Sequence, residues 1–429
     1  MHLHELRLQN FRCFTDTTIS FDERLTVLVG KNGSGKTAIL DAAACFLNQI
    51  VEVYMEGENF TKFFLDKRKD RNIETAENLK MSLTLQHNGV PTTLQEPEDS
   101  NTITYGLRPG MPGFTKLPNE KVSKILLPED DRYIISYYNS GRLSFQLDDK
   151  HIQDDQGVKS AYRYCLAPWL SWNATIEWID RHDAYEARQF RDGNKNFRDL
   201  ELSAMREAVK DALPDFENLS FDGLKSEVTV TRKTDGQKLS FWQLSDGYRA
   251  MLALILDLAR RMAIANGERY TAEGRSILSS PAIVLIDEIE LHLHPGWQQT
   301  VLPSLLEIFP NTQFIVSTHS PQVLSSIASK YIRLLDEGEV YAAPEGTEGA
   351  ESSRILKRIF GVLPRPPKNK FAEALARYQT LVEADLWDSD EAKQLRATLD
   401  ANFQGQEPAL QEADLYIENR KWELADEEN

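Results

Sequence analysis

The run Gly30-Lys31-Asn32-Gly33-Ser34-Gly35-Lys36-Thr37 fits the pattern G-x-x-x-x-G-K-[ST] without departure. A loop of this kind has to leave a buried strand and open a helix, and the neighbouring residues comply. Leu25-Thr26-Val27-Leu28-Val29 is an apolar strand, and Ala38-Ile39-Leu40-Asp41-Ala42-Ala43 has helical character. Glycines let the backbone curl so that several N–H groups face one anion, and the helix N-terminus adds a positive partial charge there. Gly30, Asn32, Gly33, Ser34 and Gly35 are therefore candidate phosphate binders. Lys36 is expected to reach the β- and γ-phosphates, and Thr37 to hold Mg²⁺ through its hydroxyl.

The 429 residues carry a net charge of −17 at pH 7. An excess of acids argues against sequence-independent DNA binding through overall charge, although a local basic patch stays compatible with it. Three widely spaced cysteines, Cys13, Cys45 and Cys165, suggest a reducing compartment with no metal site or disulfide framework. The N-terminus has no apolar leader, and no run approaches the length of a membrane span. A soluble cytoplasmic protein without membrane contact is expected.

Along the chain, period-two alternation predicts a strand over residues 2–8, a second over 17–21, and a helix from the glycine loop to about residue 54. From about 55 to 127 charged residues, prolines and glycines dominate, with one strand near 81–86. Further strands are expected at 133–138, 228–231, 281–287 and 313–317. Helical spacing is expected over 160–213 and 244–265, and from 371 to the end with a break near Pro408.

Three more motifs carry chemistry. Ile283-Val284-Leu285-Ile286 ends in Asp287-Glu288, which puts two carboxylates at the C-terminal end of a core strand, where α/β sheets bind ligands. Asp287 is expected to complete the Mg²⁺ shell, and Glu288 to orient and deprotonate the attacking water. In Leu244-Ser245-Asp246-Gly247-Tyr248-Arg249, Ser245 and Gly247 open a helix and offer a second N–H cluster for phosphate. The same pair also reads as an ordinary helix cap. Phe314-Ile315-Val316-Ser317-Thr318-His319 ends an apolar strand in a histidine able to contact a γ-phosphate. A basic cluster, Arg181, Arg188, Arg191, Lys195 and Arg198, is a candidate DNA contact with acids interleaved.

In this order the motifs resemble those of ABC-type ATPases of the RecF, SMC and OLD kind. Gly30 to Thr37 looks like Walker A, Leu244 to Arg249 like the signature, Asp287-Glu288 like Walker B with the catalytic glutamate, and His319 like the switch histidine. Asn10-Phe11-Arg12 resembles the opening of these proteins and implies that Arg12 lies near the nucleotide. Glu290-Leu291-His292-Leu293-His294-Pro295 and Tyr137-Tyr138-Asn139-Ser140-Gly141-Arg142 are similar to segments of the OLD-like branch. The resemblance implies an α/β fold, an ABC-ATPase head. It has a mixed sheet core, antiparallel N-terminal strands, flanking helices, an inserted helical region and a C-terminal helical tail. The head is expected over residues 1–345 with insertions at about 55–130 and 145–240, and a partner-binding or oligomerisation region over 346–429.

The departures are specific. No sustained heptads occur between 55 and 240, so the long coiled coil of SMC proteins is not expected. Asp246 stands where the commoner signature has glycine, and Gln86 is the candidate for the Q-loop glutamine. No Toprim or H-N-H pattern is visible. An ATPase lacking its own nuclease is similar to the PtuA group from Septu-type antiphage systems, which also occur with retrons. The stretch from Arg354 to Pro366 and the short helical tail fit that group. The resemblance implies slow ATP hydrolysis, head-to-head dimers within a homo-oligomer, and control of a separate HNH nuclease, PtuB. DNA, or a reverse transcriptase with its DNA product, is a further candidate partner. The alternatives are a RecF-like repair ATPase that binds DNA directly and a non-enzymatic, nucleotide-clamped scaffold that restrains a toxic partner.

Overall fold

The computed structural model describes residues 1–55, 80–87, 90–95, 131–141 and 157–427. Two compact units divide the chain, Met1–Ile355 and Leu356–Asn429.

The first unit is built on a six-stranded sheet ordered β13-β12-β3-β11-β10-β6. Its strands are β3 (Leu25–Gly30), β6 (Ile134–Tyr138), β10 (Ala282–Ile286), β11 (Thr312–Thr318), β12 (Ile332–Asp336) and β13 (Glu339–Ala342). All neighbours are parallel except the edge pair β12–β13. Every residue of β6, β10 and β11 is buried. Such continuous burial suits strands covered on both faces. One face is covered by helix α1 (Lys36–Tyr54), which buries Ile39, Leu40, Phe46 and Leu47.

A second, antiparallel sheet has the order β2-β1-β4-β5, from β1 (His2–Phe11), β2 (Phe14–Ser20), β4 (Lys80–His87) and β5 (Val90–Gln95). Leu3, Leu6 and Leu8 are all fully buried although the first two are three residues apart. A bulge between Leu3 and Glu5 absorbs the odd residue and keeps the three on one face.

Helices α2 (Trp172–Arg191) and α3 (Leu200–Ala212) follow, then a three-stranded sheet of β7 (Phe216–Asp222), β8 (Glu227–Arg232) and β9 (Lys238–Ser240). The inserted region is therefore not only helical. Helix α4 (Asp246–Ala272) is longer than its sequence pattern suggests and is buried on almost every side. It includes a buried ion cluster. Asp257 accepts from Arg260 at 2.9 Å, from Arg261 at 2.7 Å and from the Tyr138 hydroxyl at 2.9 Å, which ties α4 to β6. The short helices α5 (Pro295–Gln298), α6 (Val301–Ile308) and α7 (Pro321–Ser325) flank β11 in the chain, and α8 (Ser352–Arg358) includes the division at Ile355.

The second unit holds α9 (Lys370–Glu383), α10 (Asp390–Phe403) and α11 (Pro408–Glu427) around a core of Leu375, Tyr378, Leu381, Leu399 and Leu410. The break at Pro408 is the start of α11. Most of the expected insertion at 55–130, and Arg142, lie outside the described residues.

Candidate functional site

The loop after β3, the acids after β10 and the histidine after β11 all leave the parallel sheet at its C-terminal edge, which is the edge such sheets use for ligands. Since β11 lies between β3 and β10, His319 emerges between the loop and the two acids.

Gly33 and Gly35 adopt left-handed φ values of 82° and 99°. Gly35 is also sterically required. A Cβ there would run into the Phe14 ring and the Cys13 thiol, so the turn between β1 and β2 clamps the loop. Lys36 is only 6% exposed. Its Nζ donates to the carbonyls of Gly30 at 2.9 Å and Lys31 at 3.0 Å, folding the side chain back over the loop. Burial lowers its pKa, and Asp287, Glu288 and Glu290 oppose that shift.

Thr37 Oγ1 donates to Asp287 Oδ2 at 3.0 Å. Ser317 Oγ donates to Asp287 Oδ1 and accepts from the Glu288 N–H at 2.8 Å. The Asp287 N–H donates to Tyr138 O at 2.8 Å, and the Ile289 N–H to Ser317 O at 3.0 Å. These bonds hold Glu288 in a left-handed backbone conformation, φ 51°, which costs roughly 1–3 kcal/mol in a residue other than glycine. The partly buried Glu288 turns off the strand end instead of continuing along it. His319 donates its backbone N–H to Glu290 Oε1. Burial, then the Lys36 charge, lower the imidazole pKa, while Glu290, Glu288 and Asp287 raise it. The net shift is downward, which favours a neutral ring at neutral pH.

Arg12, at φ 50°, reaches the first turns of α1, where its Nη1 donates to Asp41 Oδ2 at 2.8 Å. The Tyr137 hydroxyl donates to Asp41 Oδ1 at 2.9 Å. Burial raises the Asp41 pKa, and Arg12 opposes it.

Ser245 stands at the N-cap of α4, is exposed, and makes no side-chain cap hydrogen bond. Gly247 is buried, and a Cβ there would lie 2.5 Å from His292 O and 3.5 Å from Leu293 Cα. The glycine thus lets α4 start directly against the segment that follows Asp287-Glu288. Tyr248 fixes the same helix start from another side. Its hydroxyl donates to Asp215 at 2.7 Å, and its ring meets Trp297 edge-on at 4.1 Å.

The structure thus gathers Lys36, Thr37, Asp287, Glu288 and His319, with Arg12 beside them through Asp41. Gln86 is not among them. It pairs in register with His2 and bonds the His2 ring at 3.1 Å, at the far end of β1 from Arg12. At 3.4 Å per residue, the ten residues of β1 put it about 30 Å away. The register of β4, not the spacing of the sequence, decides this. Ser317, Glu290, Asp41 and Tyr137 were missed as site residues. Ser317 gave no distinct signal, because its strand also carries Thr312, Gln313 and Thr318.

The residues present fit Mg²⁺ with a nucleotide. Among the described residues no group of three or more His, Cys, Asp or Glu side chains could hold a metal ion alone. Mg²⁺ on phosphates takes only one or two protein ligands and keeps several waters. The Thr37 hydroxyl against the Asp287 carboxylate is such a pair.

Sheet order, glycine loop and acid pair define a P-loop ATPase with an α/β, ABC-type head. The family model for the AAA ATPase domain matches residues 1–220 and 187–324, and the chain belongs to that family. It is 41% identical over 222 residues to the retron Ec83 probable ATPase of Escherichia coli, covering 52% of this chain and 40% of that one. It thus spans less than half of that relative. It is 23% identical to the retron Vc95 probable ATPase of Vibrio cholerae serotype O1 biovar El Tor, over 93% of this chain and 87% of the other. Against the Septu protein PtuA of Bacillus thuringiensis the identity is 24%, over 89% and 90%. No helix among the described residues is long and apolar enough to cross a membrane.

Proposed function

We propose that this chain is the ATP-driven regulatory subunit of an antiphage defence complex, and that nucleotide-dependent pairing of two heads controls a separate HNH-type nuclease. The observation that carries the pairing is the start of α4. Ser245 offers an exposed hydroxyl that its own helix does not use. A free hydroxyl beside a helix N-terminus suits a phosphate supplied from outside, here the nucleotide held by a second copy. The defence role rests on the retron and Septu relatives.

In this reading the N–H groups of Asn32, Gly33, Ser34 and Gly35 bind the phosphates. Lys36 gives up the Gly30 and Lys31 carbonyls for the β- and γ-oxygens. Thr37 and Asp287 would hold Mg²⁺, which neutralises phosphate charge when bound. Glu288 orients the attacking water and accepts its proton. Neutral His319 contacts the γ-phosphate and registers its loss. Arg12, tied to Asp41, supports the loop end of α1. The C-terminal unit supplies partner contacts. Leu415 and Trp422, exposed by 61% and 74% and seven residues apart on α11, offer an apolar face.

The test is reconstitution with a purified HNH nuclease of the PtuB kind. DNA cleavage is measured with ATP, without nucleotide, and with the Glu288→Gln subunit, which traps ATP. The expected result is a complex whose cleavage differs between the trapped and nucleotide-free states. A complex that cleaves identically in all three states, or no complex at all, overturns the proposal.

A further inference from the structure

Helices α2 and α4 and the segment around Ser160–Tyr164 enclose a small open cleft that shares no residue with the loop and acids described above. Arg163, Arg181 and Arg260 line it, with Glu177 as the acid on its exposed rim. Ser171 lines it too, at the N-cap of the 20-residue α2, where four backbone N–H groups have no intrahelical partner.

Two polar groups here are buried and unsatisfied. Ser171 is 2% exposed, and its Oγ neither caps α2 nor bonds any described residue. Arg260 is 3% exposed, and its Nε is likewise without a hydrogen-bond partner. A buried polar group left unpaired is costly, so two lining one cleft call for a ligand. The charge is unbalanced as well. Arg260 and Arg261 share the single carboxylate of Asp257. Among the described residues these three buried groups leave one positive charge over, beside a cleft that Arg163, Arg181 and Glu177 also line.

We infer that this cleft is a second anion site, distinct from the Gly30–Thr37 loop, and that it takes a phosphate group. The helix N-terminus and Ser171 face the oxyanion from one wall and the guanidinium of Arg260 from the other, with Arg181 closing the rim. Such a phosphate comes either as a free anion or as the terminal phosphate of a nucleic-acid strand. Arg188 lies two turns beyond Arg181 on the same face of α2 and is exposed toward a strand leaving the cleft.

The test uses full-length protein carrying Lys36→Ala, so that the nucleotide loop is disabled. Binding of inorganic phosphate, of pyrophosphate, and of a 5′-phosphorylated oligonucleotide beside its 5′-hydroxyl twin is followed by titration calorimetry. Saturable binding of at least one phosphate probe is expected. Ser171→Ala and Arg181→Gln should each weaken it by about tenfold or more, the usual effect of losing a hydrogen bond to a charged group. Preference for the phosphorylated strand over both its twin and free phosphate identifies a strand end, and equal affinity for phosphate identifies the free anion. With Lys36 restored, both variants should bind ATP as the parent does, which reports an intact fold. No saturable binding of any phosphate probe, or binding that neither variant weakens, overturns the inference.

Discussion

At the scale of single residues, Asp287 and Glu288 are adjacent in sequence but are held by different devices. Asp287 lies between the hydroxyls of Thr37 and Ser317, while Glu288 is turned off the strand by its left-handed backbone. Glu288→Gln should keep ATP binding and lower single-turnover hydrolysis by about 10²–10⁴, since the amide cannot accept the water's proton. An unchanged rate would move the base elsewhere, with Glu290 and His319 as the next groups. Ser317→Ala removes the bond to Asp287 and leaves the Glu288 N–H unsatisfied, a loss of about 1–3 kcal/mol. Hydrolysis should fall with little change in ATP affinity, and a wild-type kcat would show that Ser317 positions neither acid. His319 gives a pH signature. Its folded-state pKa lies below the ordinary 6.5, mainly through burial and then Lys36. The unfolded chain therefore binds more protons on this ring in the window below 6.5, and stability there rises with pH. The contribution is complete above 6.5 and is lost as pH falls from there toward the folded-state pKa. Urea midpoints followed downward from neutral pH should drop less steeply for His319→Gln than for the parent, and identical slopes would refute this. The acids and the loop were legible because each motif is contiguous in sequence. Ser317 is 30 residues from Asp287 and Asp41 is 96 from Tyr137, so those partnerships exist only once the sheet has formed.

Elements were legible in proportion to how deeply they are buried. The strand β10 is an unbroken apolar run, β3 is apolar apart from Thr26 up to its closing glycine, and β11 has Phe314-Ile315-Val316 at its centre. The edge strand β13 and the three-residue β9 carry no fully buried side chain and give no period to read. β7 escaped for a related reason, since its register slips between Glu217 and Ser220 and breaks the alternation. The most telling element is α4, because one helix bears Ser245 at its exposed start, Gly247 on the His292 carbonyl, and Asp257 bonded to Tyr138 of β6. The glycine, read in sequence as part of an N–H cluster, has a packing requirement as well. Gly247→Ala puts a methyl 2.5 Å from a backbone oxygen, so the start of α4 must move away from the segment that follows the acids. Hydrolysis should fall while nucleotide binding to Lys36 persists. Normal hydrolysis by the alanine variant would mean that the contact between α4 and His292 does not transmit to the site.

At the scale of the molecule, each chain has one glycine loop and one Ser245–Gly247 helix start, so the proposed closed sites require two heads facing each other. A two-fold axis then places two identical composite sites in one interface, each with the loop of one copy and the helix start of the other. The geometry within one chain agrees with that division. Lys36 is buried over its own loop, whereas Ser245 is exposed with its hydroxyl unused. Ser245→Arg should block ATP-driven pairing and hydrolysis while leaving nucleotide binding largely intact, because a bulky cation replaces a small hydroxyl at the interface. Lys36→Ala should abolish nucleotide binding. Neither variant alone should hydrolyse ATP. A mixed dimer has one site with both defects and one with neither, so co-expression with differently tagged chains and tandem purification should restore part of the wild-type rate. Purified mixed dimers with no activity would mean that the two sites do not act independently or that Ser245 does not serve the opposite copy. A nucleotide-bound structure distinguishes these outcomes, and Ser245 lying on the phosphate of its own chain would refute the two-headed site.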